Sequence, residues 1–367
     1  MKDGSKMARD GIVNLTPYVP GKPIEEVQRE YGLEKVVKLA SNENPLGVSK
    51  KSLEAMEKEL KNCSVYPEGS SPKVRSKLAA HWLIKEEQIF LATGGDHILT
   101  LIASAFINQG DEVIIGVPSF PTYTLGTLTM GGTLIKVPLK DLTYDLDAIY
   151  EAITPKTKLI FFCNPNNPTG TIVTRDKVAQ FMSMIPEHCI VVFDEAYFEL
   201  VEEPEYPDGL EYVREGRNVI VLRTFSKVYG LAGLRIGYAM CAEHLAPVLG
   251  RVIPPFPVNR IAQVAAEAAL DDQEYLRAVI ANNSEGRAYL NAQFDEMGLS
   301  YAPSHGNFIF VDIGIPVVEA NVKLLKRGVA IRPGNIWGFP THIRVSIGSP
   351  EDNQTFIKAL KEVIAEG

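Results

Sequence analysis

The sequence predicts an α/β fold, with a large domain on a mostly parallel central sheet and a smaller α+β C-terminal domain. Three observations carry the prediction. Short apolar runs, several of them β-rich and apolar on both faces, recur between residues 89 and 222, and helical segments lie between some of them. After Arg235 the texture changes to long helices followed by strands. A strand that is apolar on both faces belongs in a sheet covered on both sides, and its alternation with helices is the mark of an open parallel sheet.

In chain order, residues 1–48 are rich in Pro and Asn, with one helix-like stretch at 24–31. Charged residues surround Leu53, Met56 and Leu60, which gives 52–61 the spacing of an amphipathic helix, and 72–83 reads the same way. The strand runs are 89–92, 113–117, 133–137, 159–162, 190–193 and 219–222, with helices at 98–108 and 175–185. Helices follow at 261–270 and 272–296, then a strand at 307–312 and a helix at 317–327. Strands at 329–332 and 343–347 and a helix from Pro350 close the chain. The predicted units are an N-terminal segment (1–48) packing with the small domain, a large domain (49–253) and a small domain (254–367), with a Pro-rich hinge at 254–257.

A chain of 367 residues exceeds one ordinary core, in keeping with two unequal domains. The net charge of −8, without a basic run, argues against nucleic acid as partner. Cys63, Cys163, Cys189 and Cys241 are scattered, which predicts reduced thiols and no metal site. The first residues lack the apolar core of a signal peptide and no apolar run is long enough for a membrane span, so a cytoplasmic protein is expected.

Polar residues gather just past three consecutive strands: Asn164, Asn167 and Thr169; then Asp194, Glu195 and Tyr197; then Arg223, Thr224, Ser226 and Lys227. Such convergence suggests one shared pocket. No dinucleotide, P-loop, zincin or nucleophile-elbow motif is present. What remains is a lysine beside a serine, an arginine nearby and an aspartate one strand away. Pyridoxal 5'-phosphate asks for this set: an amine to bind its aldehyde, an acid to keep the pyridine nitrogen protonated, and hydroxyl, guanidinium and helix-start amides for its phosphate.

The stretch Ser226-Lys227-Val228-Tyr229-Gly230-Leu231-Ala232-Gly233-Leu234-Arg235-Ile236-Gly237-Tyr238 resembles the lysine signature of fold-type I aminotransferases. Asn164-Pro165-Asn166-Asn167-Pro168-Thr169-Gly170 and Asp194-Glu195-Ala196-Tyr197 are similar to two more signatures of that class, in the same order. Leu39-Ala40-Ser41-Asn42-Glu43-Asn44-Pro45-Leu46-Gly47, with Tyr66-Pro67 and Arg223-Thr224-Phe225, resembles the histidinol-phosphate aminotransferase branch.

The resemblance implies a large pyridoxal-phosphate domain, with Lys227 as the covalent lysine and Asp194 on the pyridine nitrogen. It puts Tyr197 and Asn167 on the ring oxygen. Ser226, Arg235 and the Gly94-Gly95-Asp96 turn would hold the phosphate, and Tyr123 would stack on the ring. Tyr66 would reach the neighbouring subunit's cofactor, making a homodimer with composite sites. Arg344 would take a carboxylate and Arg332 the substrate phosphate, with Tyr18, Asn44 and Asn307 on the pocket wall. The implied reaction moves the amino group of histidinol phosphate to 2-oxoglutarate, giving imidazoleacetol phosphate and glutamate in histidine biosynthesis.

The chain departs from the family pattern at His97, Gly126 and Pro257. These leave two rival activities open, an aromatic amino acid aminotransferase and a decarboxylase of a phosphorylated amino acid. A non-catalytic cofactor sensor is the reading from another class.

Overall fold

The computed structural model describes residues 7–13, 15 and 22–366. The N-terminal part carries α1 (Asp10–Val13), α2 (Ile24–Tyr31) and a short strand β1 (Val37–Lys38). There follow α3 (Lys50–Glu59), α4 (Pro72–Trp82), β2 (Ile89–Ala92), α5 (Gly94–Phe106), β3 (Glu112–Val117), α6 (Thr122–Thr129), β4 (Thr133–Pro138), α7 (Leu146–Glu151), β5 (Thr157–Cys163) and α8 (Arg175–Met184). Next come β6 (Ile190–Asp194), α9 (Leu210–Arg214), β7 (Val219–Thr224), β8 (Gly237–Cys241), α10 (Ala246–Leu249) and α11 (Arg260–Leu270). The long helix α12 (Gln273–Glu296) leads to β9 (Phe308–Asp312), α13 (Val317–Lys326), β10 (Val329–Ala330), β11 (Arg332–Pro333), β12 (His342–Ser346) and α14 (Pro350–Ala365).

The large sheet has the order β2-β8-β7-β6-β5-β3-β4. Its members from β7 to β4 run parallel, and β8 is antiparallel to both β7 and β2. Every residue of β6, β7 and β8 is buried, as strands covered on both faces must be. Each such Val, Ile or Phe contributes roughly 1.5–3 kcal/mol on burial. At one edge, β4 exposes Thr133, Lys136 and Pro138, polar and ring-blocked positions that discourage further strand pairing. β8 was not foreseen from the sequence. Its Gly-Tyr-Ala-Met-Cys run lacks β-branched residues, and its strand geometry comes from being held between β7 and β2.

The second core is built on the sheet β11-β12-β9, covered by α13, α14 and the later turns of α12. The expected strand at 329–332 divides there: β10 pairs with β1, and β11 pairs with β12. The N-terminal segment thus joins the second core, with Val37 and Leu39 inside it. Residues 258–270, read from sequence as part of the small domain, contribute Val258, Ala262, Ala265, Ala266 and Ala269 to the large core instead. Their small side chains let α11 lie close to α3, where the Ser52 hydroxyl donates to the Ala265 carbonyl at 2.9 Å. The chain passes between cores within α12, whose Val279 belongs to the large core and whose Leu290 and Phe294 belong to the second. Among the described residues, no helix is long and apolar enough to cross a membrane.

Candidate active site

The parallel strands deliver their carboxyl ends to one edge of the large sheet, the place where open α/β sheets bind ligands. Asp194 ends β6, Asn164 to Gly170 follow β5, Ser226 and Lys227 follow β7, and α5 begins two residues after β2.

Past β7 the backbone doubles back. The amide of Phe225 bonds the Ile236 carbonyl, and those of Leu231 and Gly230 bond the carbonyls of Phe225 and Lys227. Gly230, at φ 70°, is required here: a Cβ would stand 2.1 Å from the Gly47 carbonyl oxygen. This close approach brings residues 41–47 over Lys227. The Lys227 Nζ donates weakly to the carbonyls of Ser41 at 3.4 Å and Asn42 at 3.3 Å. Burial, aided by the Arg344 charge, lowers its pKa to about 8.

Asp194 is buried, and burial raises its pKa to about 6 against the donors that hold its charged form. Those donors are the Tyr123 hydroxyl, 2.6 Å from Oδ2, and the Ala196 amide, 3.2 Å from Oδ1. Tyr123 itself is 0% exposed, with its ring stacked on Phe161 at 4.7 Å. The expected stacking on a cofactor ring is therefore not available to it in this conformation. It reaches the site through its hydroxyl.

The Tyr197 hydroxyl receives the side-chain amides of Asn42 at 3.0 Å and Asn167 at 3.5 Å. Asn167 Oδ1 in turn accepts from Arg344 Nη1 at 2.6 Å, and Arg344 Nη2 donates to the Ala40 carbonyl at 2.7 Å. Arg332 and Arg344 are partners across β11 and β12, so two buried guanidinium groups start from the same face of the sheet.

An anion cup forms where α5 begins. Gly94, at φ 78°, sits so near Arg235 that a Cβ would meet Nη2 at 2.6 Å. Arg235 is itself left-handed at φ 54°. It donates to Asp96 Oδ2 at 3.3 Å and, at the limit of contact, to Ser226 Oγ at 3.5 Å. Gly94 and Gly95 open α5, so amides, a hydroxyl and a guanidinium converge.

Other expected residues take different places. Asn44 is fully engaged in holding the chain: its amide donates to the Val228 carbonyl at 2.8 Å and Tyr275 Oη at 3.1 Å, and its Oδ1 accepts from the Leu46 amide. Asn307 donates to the Asn42 carbonyl at 3.0 Å. Tyr66 is 76% exposed and stacks on Phe256 at 4.7 Å. Tyr18 lies outside the described residues. Asn42, which the sequence reading passed over for Asn44, stands at the centre of the site. Nothing local marks it out, because its partners are 155 and 304 residues away.

The sequence model of the family "Aminotransferase class I and II" matches residues 34–360. The chain belongs to this aminotransferase family. It is 49% identical to a histidinol-phosphate aminotransferase of Caldicellulosiruptor saccharolyticus, over 98% of this chain and 100% of that one. The corresponding protein of Moorella thermoacetica is 48% identical, over 97% and 93%. The crystal structure of a histidinol-phosphate aminotransferase from Sinorhizobium meliloti in complex with pyridoxal-5'-phosphate superposes with a TM-score of 0.89, at 29% identity and 97% coverage of both chains.

Behind the site, the aminotransferase ties its two central strands together with a buried ion pair. Arg223 Nη2 and Nε donate to Glu195 Oε2 at 2.7 and 3.0 Å, and Nη2 also meets Asp208 Oδ1 at 2.7 Å. The guanidinium lies between the rings of Trp82, at 4.1 Å, and Phe198, at 3.4 Å. Glu195 follows Asp194 and Arg223 precedes Lys227 by four positions, so the pair holds the two strand ends together. Arg223→Ala strips the cation from a buried carboxylate and is expected to lower the unfolding free energy by about 3–5 kcal/mol, read from urea denaturation. A loss under about 1 kcal/mol would mean that Glu195 finds its proton or its water without cost.

Proposed function

We propose that this chain is a histidinol-phosphate aminotransferase that carries pyridoxal 5'-phosphate and uses 2-oxoglutarate as acceptor. The observation behind the reading is the meeting of a weakly held lysine amine, a buried carboxylate and an anion cup on one sheet edge, opposite two paired arginines. The cradle fits the cofactor: Gly94 keeps a left-handed backbone against the Arg235 guanidinium, and Arg235, Ser226 and the start of α5 supply donors for a phosphate dianion.

When bound, the cofactor supplies an electron sink for the carbanion left when the substrate Cα loses its proton. In this reading Asp194 keeps its charge beside the protonated pyridine nitrogen, held in place by Tyr123. Tyr197 and Asn167 address the ring oxygen. Lys227 would hold the cofactor at its aldehyde carbon and, as a free amine, would take the proton from the substrate Cα. Its lowered pKa suits an amine that must be free to accept a proton. Arg344 and Arg332 receive the anionic group next to the reacting carbon, a phosphate ester in one half-reaction and carboxylates in the other.

The exposed ring pair Tyr66 and Phe256, with Leu60 and Val65 exposed on the same stretch, supports a homodimer in which Tyr66 enters the partner's site. We place the enzyme in the cytoplasm, in keeping with its acidic charge and scattered free thiols.

The test is to follow glutamate formation from 2-oxoglutarate with histidinol phosphate, histidinol, phenylalanine or tyrosine as donor. Histidinol phosphate is expected to exceed histidinol in kcat/KM by roughly 10³-fold, because the arginines lose their anion in the latter. If phenylalanine or tyrosine matches histidinol phosphate, an aromatic aminotransferase takes the place of this reading.

A further inference from the structure

Asn42 is 1% exposed and stands in the left-handed region at φ 54°, where few residues other than glycine are tolerated. Strained backbone of this kind persists where its surroundings hold it, and here they do. The Asn42 amide N–H donates to Ser346 Oγ at 2.8 Å, and that hydroxyl donates back to Asn42 Oδ1 at 3.0 Å. The structure turns Oδ1 of the side-chain amide to this hydroxyl and Nδ2 to Tyr197 Oη, at 3.0 Å. The carbonyl of the same residue accepts from Lys227 Nζ and from Asn307 Nδ2.

We infer that Asn42 is a positioning residue for transamination: its side-chain amide turns the Tyr197 proton toward the cofactor, and its carbonyl parks the Lys227 amine. This rests on the roles given above to Lys227 and Tyr197. A phenol oxygen has one proton to give and two lone pairs to receive with. Asn42 and Asn167 both point N–H groups at it, and Arg344 fixes the orientation of Asn167. The acceptor directions are thus taken, and the O–H is left to act as a donor. A donor placed on the phenol oxygen also strengthens the bond its proton makes. Ser346 lies on β12 of the second core and Tyr197 just past β6 of the large core, so Asn42 links the hydroxyl to both.

Asn42→Gly is the informative variant, because glycine accepts the left-handed backbone, keeps the carbonyl and removes only the amide. Ser346→Ala leaves the amide and releases its orientation. The readouts are the pH midpoint of the visible spectrum of the pyridoxal-phosphate-loaded protein, kcat and KM, and thermal unfolding of the cofactor-free protein. A weaker Tyr197 donor leaves more charge on the ring oxygen, which holds the proton on the adjoining Lys227 nitrogen more tightly. The midpoint is expected to rise by roughly 0.5–1 pH unit in Asn42→Gly and by less in Ser346→Ala. The other groups that face Lys227 are Arg344, Arg235, Glu43, Asp96, Asp194 and Tyr197, and all are retained in both variants. The kcat is expected to fall about tenfold with little change in KM, and the cofactor-free melting curve to stay near that of the parent.

A midpoint equal to the parent's overturns the inference, whatever happens to kcat, because a merely structural amide would leave it unmoved. A midpoint shift accompanied by early melting of the cofactor-free protein also overturns it. If the parent protein itself binds no pyridoxal phosphate, the functional reading falls, and that failure is visible before any variant is made.

Discussion

Lys227→Ala will lower the rate of transamination by about 10⁴-fold or more. In the proposed reaction the variant loses both the amine that would bind the cofactor aldehyde and the base that would move the substrate proton. The residue beneath is not interchangeable with another lysine, because the Phe225–Ile236 turn and the Gly230–Gly47 contact aim this one side chain into the site. The native protein adds a pH signature. Burial and Arg344 bring the Lys227 pKa down from 10.5 to about 8, so the neutral amine becomes the major form above that pH. Cofactor-free protein is expected to capture pyridoxal phosphate faster as pH rises through about 8 and then level off, followed by stopped-flow absorbance. Capture by Lys227→Ala should show no such rise. A variant that retains a tenth of parental turnover would remove Lys227 from the mechanism.

Asp194→Asn is expected to cost about 10³-fold in kcat, with weakened cofactor binding. The amide keeps the shape and one acceptor but carries no charge to hold a proton on the pyridine nitrogen. Asparagine also turns an N–H toward one of the two donors that Asp194 now satisfies, the Tyr123 hydroxyl and the Ala196 amide. The sign of the pH effect follows from burial. Burial raises the Asp194 pKa to about 6, so the carboxylate is charged above that pH and neutral below it. Affinity for the cofactor should therefore fall as pH drops through about 6, and Asp194→Asn should flatten that limb. Equilibrium dialysis across the range checks both. An unchanged limb in the variant would assign it to another group.

The helices and strands were legible wherever a short stretch contains its own pattern. The apolar runs at 190–193 and 219–222 announce covered strands, and both are buried throughout. The 261–270 helix shows its apolar stripe in sequence too, yet its partner does not. Only the three-dimensional fit of its alanines to α3 assigns it to the large core. The strand β8 escaped notice for the same reason, since its neighbours rather than its residues make it a strand.

The site divides along the same line. By itself the sequence determined that Lys227, Asp194 and Asn167 stand at or just past strand ends, because strand, turn and chemistry lie within a few residues of one another. Tertiary structure alone decided that Tyr123 turns its face to Phe161 and its hydroxyl to Asp194, that Asn44 is spent on Val228, and that Asn42 reaches Tyr197, Lys227 and Ser346 together. Periodicity and turn chemistry are short-range and can be read in order along a chain. A hydrogen bond between residues 155 or 304 positions apart exists only after two cores have packed, and no local pattern records it.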